Sequence, residues 1–417
     1  VWQQYLAWVS VAVALASIAG ILVCYIDPFA AGSGIPEIKC YLNGIEHFPS
    51  VVGLKTLLAK AVGIVFSVSA GLPCGKEGPM IHSGAIIGAV VAGFRIDRNI
   101  KPYVYTQEVR DLVAAGASAG VSAAFGAPLG SVLFAIEEGS SHMNPQIMLL
   151  SCIGLDVDTA FRGLRRGGPR VKDFLDRESA SSGAEGQEME MRKIFHDHVG
   201  PFSSHALTGP SGWRVPVSFG RFSNMDYHIQ EFALFGLMAV CGGLLGGLFN
   251  CLNKRLTLWR QRHIGGRGHK RFLEVLLVTF VVSSFDFLVV ALCSDSPLTL
   301  EDLPPTMELY WNLGAKAMKN LFHGQENYHW GFLLLFAVKN FCFACWNYGT
   351  GVPSGLFIPS LLTGAAFGRL VGQLVAVLRD LDTNGNSPFS FVAQPGTYAL
   401  IGACSMLAGT ARITISL

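Results

Sequence analysis

The chain has 417 residues, of which 51% are hydrophobic and 14% are charged, and its formal net charge is +2. This composition excludes an ordinary soluble protein of this size and indicates a membrane protein. A net charge so close to zero gives no indication of a nucleic-acid partner. The ten cysteines are scattered, mostly within apolar stretches, so we predict no disulfide framework.

Apolar stretches along the chain predict membrane helices. Residues 5–26 and 232–252 are uncharged and match the ~20 apolar residues that cross a bilayer as a helix. Other apolar stretches are shorter or interrupted by Gly, Pro, Lys or Glu, which is typical of the broken helices of transporters. These are residues 51–70, 80–95, 112–136, 275–294, 331–346, 352–378 and 398–417.

Composition divides the chain into three parts. Residues 1–140 and 230–417 hold the apolar stretches and are predicted to form two transmembrane regions. Residues 141–229 between them contain clustered arginines, histidines and a Ser-rich polar tract, a composition typical of disorder outside the bilayer. The chain begins with Val1 and ends within an apolar stretch at Leu417, so we expect an incomplete product.

Two short motifs occur in both transmembrane regions. Residues 75–79 (GKEGP) and 355–359 (GLFIP) share the pattern G-x-[EF]-x-P, and a weaker match follows each, at 116–118 (GAS) and 402–404 (GAC). Matching interrupted segments in two halves indicate inverted repeats with a binding site between them, although Gly-rich membrane segments can also match by chance. We predict an all-α, polytopic membrane fold with inverted repeats and broken helices.

Three breaks that contain Gly and Pro, at 32–36, 75–79 and 355–359, have the composition of an anion site. A dehydrated anion needs hydrogen-bond donors, and backbone N–H groups at helix N-termini supply them together with the positive end of the helix dipole. Proline is tolerated in a first helical turn, and Ser33 adds a hydroxyl donor. Amides and a hydroxyl, rather than Arg or Lys, keep binding weak enough for release.

Acidic residues within the apolar stretches are candidates for proton transfer. Glu77 lies in a Gly-rich break, where a carboxylate is costly unless it has a role. It could occupy the anion's position when ionised and move away when protonated, or it could be a solvated loop residue at an aqueous boundary. Glu137 and Glu138 could form a second proton station or only cap a segment at the membrane surface. Asp286 and Lys339 are further intramembrane charges without an assigned role.

Four segments, in this order, resemble the CLC chloride channel and transporter family. Their sequences are most similar to those of the eukaryotic intracellular branch of the family, found on lysosomes, endosomes and vacuoles. The resemblance implies a homodimer in which each subunit has its own anion pathway. The segments are GSGIPEIK at 32–39, GKEGPMIHSGA at 75–85, AAFGAPLGSVLFAIEE at 123–138 and GVPSGLFIPSLLTGAAFGRL at 351–370.

The resemblance also implies roles for individual residues. Glu77 would be the external gating glutamate and Glu138 the internal proton glutamate, which family channels usually lack. Serine at position 33 implies chloride, since family members that favour nitrate tend to have Pro there. The chloride site would comprise Ser33, Gly34, Gly75, Leu356 and Phe357.

We therefore predict a chloride/proton antiporter in an endosomal, lysosomal or vacuolar membrane, with no enzymatic activity, cofactor or metal. A passive chloride channel of the same family is one alternative. A non-transporting product is the other. Residues 140–215 replace a helix that the family places after the Glu-Glu pair, and the family's site-completing tyrosine and CBS domains are absent from the sequence.

Overall fold

The computed structural model is helical throughout the part of the chain that it describes. Within this part the only non-helical pairing is two isolated backbone bridges, and no β-strand forms. The all-α prediction is therefore confirmed. The predicted polar insert at 141–229 and Glu138 both lie outside the described residues. The described residues are 2–45, 51–95, 102–125, 128–134, 137, 231–293, 309–310, 314–324, 328–380 and 394–412.

The described ranges of the first half contain six α-helices. The first continues as a π-helical turn at Leu22–Ile26 and is followed by a 3-10 turn at Pro28–Ala30. Two of the predicted breaks, at 32–36 and 75–79, contain the first residues of α2 and α4 respectively. The helices are α1 (Trp2–Ile21), α2 (Ile35–Leu42), α3 (Leu54–Ser69), α4 (Glu77–Arg95), α5 (Pro102–Phe125) and α6 (Pro128–Phe134).

The second half contains another six α-helices in its described ranges. The third predicted break, 355–359, contains the start of α11. The helices are α7 (Phe232–His263), α8 (Gly268–Cys293), α9 (Gly314–His323), α10 (Trp330–Asn347), α11 (Phe357–Asp380) and α12 (Pro395–Ala411).

Five described segments are long and apolar enough to cross a membrane. The spans predicted at 5–26 and 232–252 are among them. Large apolar side chains on the outside of these helices, such as Leu6 on α1 and Leu244 on α7, are more than half exposed, as expected for lipid-facing residues. The five segments are Trp2–Ile26, Phe232–His263, Gly268–Ala291, Trp330–Asn347 and Phe357–Leu378.

The same helix crossing occurs once in each half. In the first half α4 crosses α5 so closely that a Cβ atom on Gly84 would collide with the carbonyl oxygen of Gly116. In the second half α11 crosses α12 in the same way, because a Cβ atom on Gly364 would collide with the carbonyl oxygen of Gly402. Gly116 and Gly402 are the glycines of the weaker repeated motif. The repeat that the sequence predicts is therefore present as a repeated packing arrangement.

The two intramembrane charges without an assigned role form an ion pair between α8 and α10. Lys339 Nζ lies 2.5 Å from Asp286 Oδ1, and both side chains are largely buried. The same ammonium group lies 5.3 Å from the ring centroid of Tyr310 and 5.7 Å from that of Phe336. Because removing one partner of such a pair leaves an uncompensated buried charge, we interpret Lys339 and Asp286 as a structural link between two membrane helices.

Candidate anion site

The three predicted breaks meet through backbone hydrogen bonds. The Gly32 amide donates to the Val352 carbonyl at 3.0 Å, and the Ser354 amide donates to the Gly32 carbonyl at 3.2 Å. Gly75 and Gly355 exchange two bonds, of 2.9 and 2.8 Å. The third break bonds to the second, and the residues just before it bond to the first. Segments more than 270 residues apart in the sequence therefore lie side by side in the fold.

The first break places Ser33 and Gly34 at the start of α2. Ser33 is buried, and its Oγ accepts a bond from the Ile35 amide at 3.4 Å. Gly34 precedes the helix with φ of 82°, a left-handed conformation that favours glycine. A Cβ atom on Gly78 would lie 2.7 Å from the Cβ of Ser33, so the first and second breaks are in contact. The Tyr348 side chain, which the sequence did not single out, also interacts with Ser33.

The third break directs the start of α11 toward the same region. The first amides of a helix have no intrahelical acceptor, so those of Leu356 and Phe357 have the geometry to donate to an anion. The Phe357 ring is buried and makes an edge contact with Phe125, with 5.6 Å between ring centroids. The structure thus brings Leu356, Phe357, Ser33, Gly34 and Gly75 together, and chloride binding by them stays a prediction.

Glu77 begins α4 in the middle of this arrangement. Its side chain is completely buried, so it is not a solvated loop residue. Neither carboxylate oxygen accepts a hydrogen bond from another described residue. One oxygen contacts Gly75, and the Ile358 amide nitrogen lies 3.2 Å from the position that a Cβ atom on Gly75 would occupy. The carboxylate therefore lies between Gly75 and the positive end of α11.

The two glutamates after α6 are only partly described. Glu137 is half-buried and interacts electrostatically with Lys39 on α2. This interaction connects the end of the 112–136 stretch to the helix that starts at the first break. Glu138 lies outside the described residues, and its role as a proton glutamate stays a prediction.

Two further buried polar residues next to the site were not identified from the sequence. Lys60 on α3 and His82 on α4 have no solvent exposure, and their Nζ and Nδ1 atoms are 2.6 Å apart. A lysine inside the apolar 51–70 stretch was the available signal, but the sequence does not show which residue contacts it. In the described ranges, no three His, Cys, Asp or Glu side chains gather closely enough to hold a metal ion.

Comparison with known proteins identifies the family. The sequence profile described as "Voltage gated chloride channel", the CLC family, matches residues 15–417 of this chain. The chain belongs to the CLC family. With five apolar spans in its described part, it is an integral membrane protein.

Curated relatives match almost the whole chain. The H(+)/Cl(-) exchange transporter 7 of Mus musculus is 37% identical over 435 residues, which cover 99% of this chain and 49% of the relative. The chloride channel protein CLC-d of Arabidopsis thaliana is 31% identical over 95% of this chain and 49% of its own length. The chain thus spans about half the length of these relatives.

Solved structures show the same fold. A eukaryotic CLC transporter superposes with a TM-score of 0.63 at 23% identity, over 99% of this chain and 58% of that structure. A slow cyanobacterial Cl-/H+ antiporter gives a TM-score of 0.62 at 21% identity, over 97% of this chain and 75% of that structure. The predicted broken-helix CLC architecture is therefore confirmed.

Proposed function

We propose that this protein exchanges chloride for protons across a membrane. The observation that carries the proposal is Glu77, a completely buried carboxylate without a hydrogen-bond partner among the other described residues, at the meeting point of three Gly-containing breaks. A buried, unsatisfied carboxylate costs several kcal/mol unless it is protonated or serves a function. Glu77 has this cost where the starts of α2, α4 and α11 lie close together.

The geometry supports a competition between Glu77 and chloride. The starts of α2, α4 and α11 offer backbone donors and positive dipole ends to one negative group at a time. When ionised, the Glu77 carboxylate satisfies that requirement itself and excludes the anion. When it binds a proton it becomes neutral, and chloride can take its place. Each cycle then moves a proton on Glu77 in one direction and chloride in the other.

The relatives favour exchange over passive conduction. The mouse relative, which is named an H(+)/Cl(-) exchange transporter, is more similar to this chain than the Arabidopsis relative, which is named a chloride channel protein. A passive channel is the second candidate because of that plant relative. The two functions differ in one measurable property, which is whether a chloride gradient can drive protons uphill.

Several features of the working protein are part of the same proposal. We infer a homodimer in an endosomal, lysosomal or vacuolar membrane, with Glu138 as the internal proton station. We also retain the division into two transmembrane regions, 1–140 and 230–417, separated by a polar insert at 141–229. The motif resemblance supports these features.

The test is proton movement driven by chloride. The purified protein is reconstituted into chloride-loaded liposomes, and external pH and chloride are recorded after an outward chloride gradient is imposed. We expect protons to move uphill into the vesicles as chloride leaves. Chloride efflux without proton movement would favour the passive channel and contradict the exchanger.

A pair of adjacent glutamates provides the matched control for the second proton station. Glu138→Gln is expected to abolish proton movement while chloride still flows, because the neutral amide cannot carry a proton. Glu137→Gln removes the neighbouring carboxylate and is expected to retain coupled exchange. If Glu137→Gln alone abolishes proton movement, the proton station is Glu137 and our assignment is wrong.

A further inference from the structure

Tyr348, in the segment between α10 and the third break, has no part in the mechanism above. Its phenol is a hydrogen-bonding neighbour of the Ser33 side chain. Its ring packs against the same buried cluster as Leu356, another predicted ligand of the anion. It is a different residue from the site-completing tyrosine of the family, which is absent from the sequence. Tyr348 therefore lies beside predicted ligands from two breaks.

The backbone around Tyr348 is held by two side chains of α7. Arg260 donates to the carbonyl oxygen of Tyr348 at 2.9 Å and to that of Trp346. Asn253 donates to the same Tyr348 oxygen at 2.9 Å and to the Cys345 carbonyl oxygen at 3.1 Å. The last carbonyls of a helix have no intrahelical donor, so these bonds cap the end of α10. The Tyr348 side chain thus starts from a fixed backbone position.

Arg260 is itself held by an ion pair with α8. Its Nε donates to Glu274 Oε1 at 2.5 Å, and the exposed fractions of the two side chains are only 7% and 10%. A guanidinium carries five N–H groups in one plane, so it can pair with a carboxylate and still donate to two carbonyl oxygens. Arg260 therefore links α7 and α8 to the end of α10.

The hydrogen bonds at Ser33 determine where its hydroxyl hydrogen points. A serine hydroxyl has one hydrogen to donate and two lone pairs that accept. The Ile35 amide donates to Ser33 Oγ at 3.4 Å and occupies one lone pair. When the Tyr348 phenol donates to the other, the Ser33 hydrogen has to point away from both donors. Chloride only accepts hydrogen bonds, so a bound chloride favours this direction of donation.

We propose that Tyr348 is a positioning residue of the anion site: its phenol donates to Ser33 and directs the Ser33 hydroxyl hydrogen toward chloride, while Arg260 holds Tyr348 in place. The inference rests on the proposed function and deepens it by naming a contribution to anion affinity from outside the three breaks. Hydrogen bonds in a chain polarise one another, so donation to Ser33 strengthens the bond from Ser33 to the anion. The phenol adds no charge, and release stays possible.

Chloride binding to the purified protein, measured by isothermal titration calorimetry, tests the inference through a double-mutant cycle. Tyr348→Phe removes one hydroxyl group and is expected to weaken binding about fivefold, equivalent to ~1 kcal/mol. Ser33→Ala removes the hydroxyl through which Tyr348 acts. Adding Tyr348→Phe to Ser33→Ala is therefore expected to cause no further loss. A merely structural role of Tyr348 would not produce this coupling.

Two further variants serve as a control and as an independent test. Tyr310→Phe removes the hydroxyl of another buried tyrosine, which donates to the Phe332 carbonyl oxygen at 2.9 Å, and is expected to leave chloride affinity unchanged. Arg260→Lys keeps the charge opposite Glu274 but loses the planar set of donors. It is expected to weaken chloride binding, and to add nothing when combined with Tyr348→Phe.

The outcomes separate this inference from the proposed function. Unchanged chloride affinity in Tyr348→Phe would overturn the inference, and so would an equal loss on adding Tyr348→Phe to Ser33→Ala. Weaker binding in Tyr310→Phe by the same factor would also overturn it, because any buried tyrosine hydroxyl would then have the effect. If the unchanged protein binds chloride but moves no protons in liposomes, the exchange function fails, while coupling between Tyr348 and Ser33 still supports the inference.

Discussion

The second and third breaks have the same backbone arrangement but different side chains. Gly75 and Gly355 pair with each other, and two residues later each chain segment enters a helix, at Glu77 in the first half and at Phe357 in the second. Both side chains are buried. Phe357 has an aromatic neighbour in Phe125, whereas the Glu77 oxygens accept no hydrogen bond from another described residue.

In the proposed function, this difference separates anion binding from proton transfer. The repeated backbone supplies converging helix N-termini, which an anion needs and which no particular side chain provides. The single carboxylate makes one of the two breaks sensitive to protons. A packed aromatic ring at the equivalent position leaves the other break unable to titrate. The two breaks thus share their backbone arrangement and differ in the group that carries the proton in the proposed function.

The largest expected effect comes from removing the Glu77 carboxylate, the group that distinguishes the second break from the third. Glu77→Gln gives the second break a neutral side chain that cannot carry a proton, so proton transport is expected to fall by at least about 100-fold while chloride flux persists. Flux recordings in liposomes measure both. Glu231→Gln is the control, since Glu231 is another buried carboxylate and accepts a 2.7 Å bond from Tyr398. Proton flux that survives in Glu77→Gln would show that the two breaks do not differ as described.

The close helix crossing that both halves share, α4 with α5 and α11 with α12, can be tested by substituting its glycines. Gly84→Ala and Gly364→Ala both force a methyl group into the opposing backbone, and each is expected to lower the free energy of unfolding by about 1–3 kcal/mol. Gly247→Ala on α7 is the control, because no atom lies within 4 Å of its added Cβ. Thermal unfolding in detergent measures all three. Destabilisation of one half only would contradict the equivalence of the crossings.

The smallest expected effect concerns the Phe357 side chain. Phe357→Leu loses the edge contact with Phe125, worth about 0.5–1.5 kcal/mol of stability. The backbone amide remains, so we expect the chloride concentration that half-saturates transport to change by less than about threefold, equivalent to ~0.7 kcal/mol. Thermal unfolding and chloride-dependent flux measure the two effects. A tenfold change in chloride dependence would show that the ring itself takes part in the site.

Features that depend on local sequence were predictable. The three breaks, the start of a helix in each, the long apolar spans and the repeated GAS and GAC motifs all follow from residue type and spacing. Burial of Glu77 was one of two predicted alternatives, and the structure decides between them. Local patterns alone therefore predicted the helix starts that the structure brings together.

Features that depend on distant partners were not predictable. Lys60 and His82 are 22 residues apart and on different helices, so no spacing rule brings them together. The charges Asp286 and Lys339 were visible in the sequence, but their pairing depends on how α8 packs against α10. The contact between Tyr348 and Ser33 likewise requires the segment before the third break to fold back onto the first break.

The most direct test of the central claim is chloride affinity measured by calorimetry as a function of pH, in the unchanged protein and in Glu77→Gln. If the ionised carboxylate competes with chloride, the unchanged protein binds chloride more tightly as the pH falls and Glu77 becomes protonated. Glu77→Gln, which mimics the protonated form, then binds tightly at every pH. An equal pH dependence in the two proteins would contradict the competition, because the titrating group would lie elsewhere.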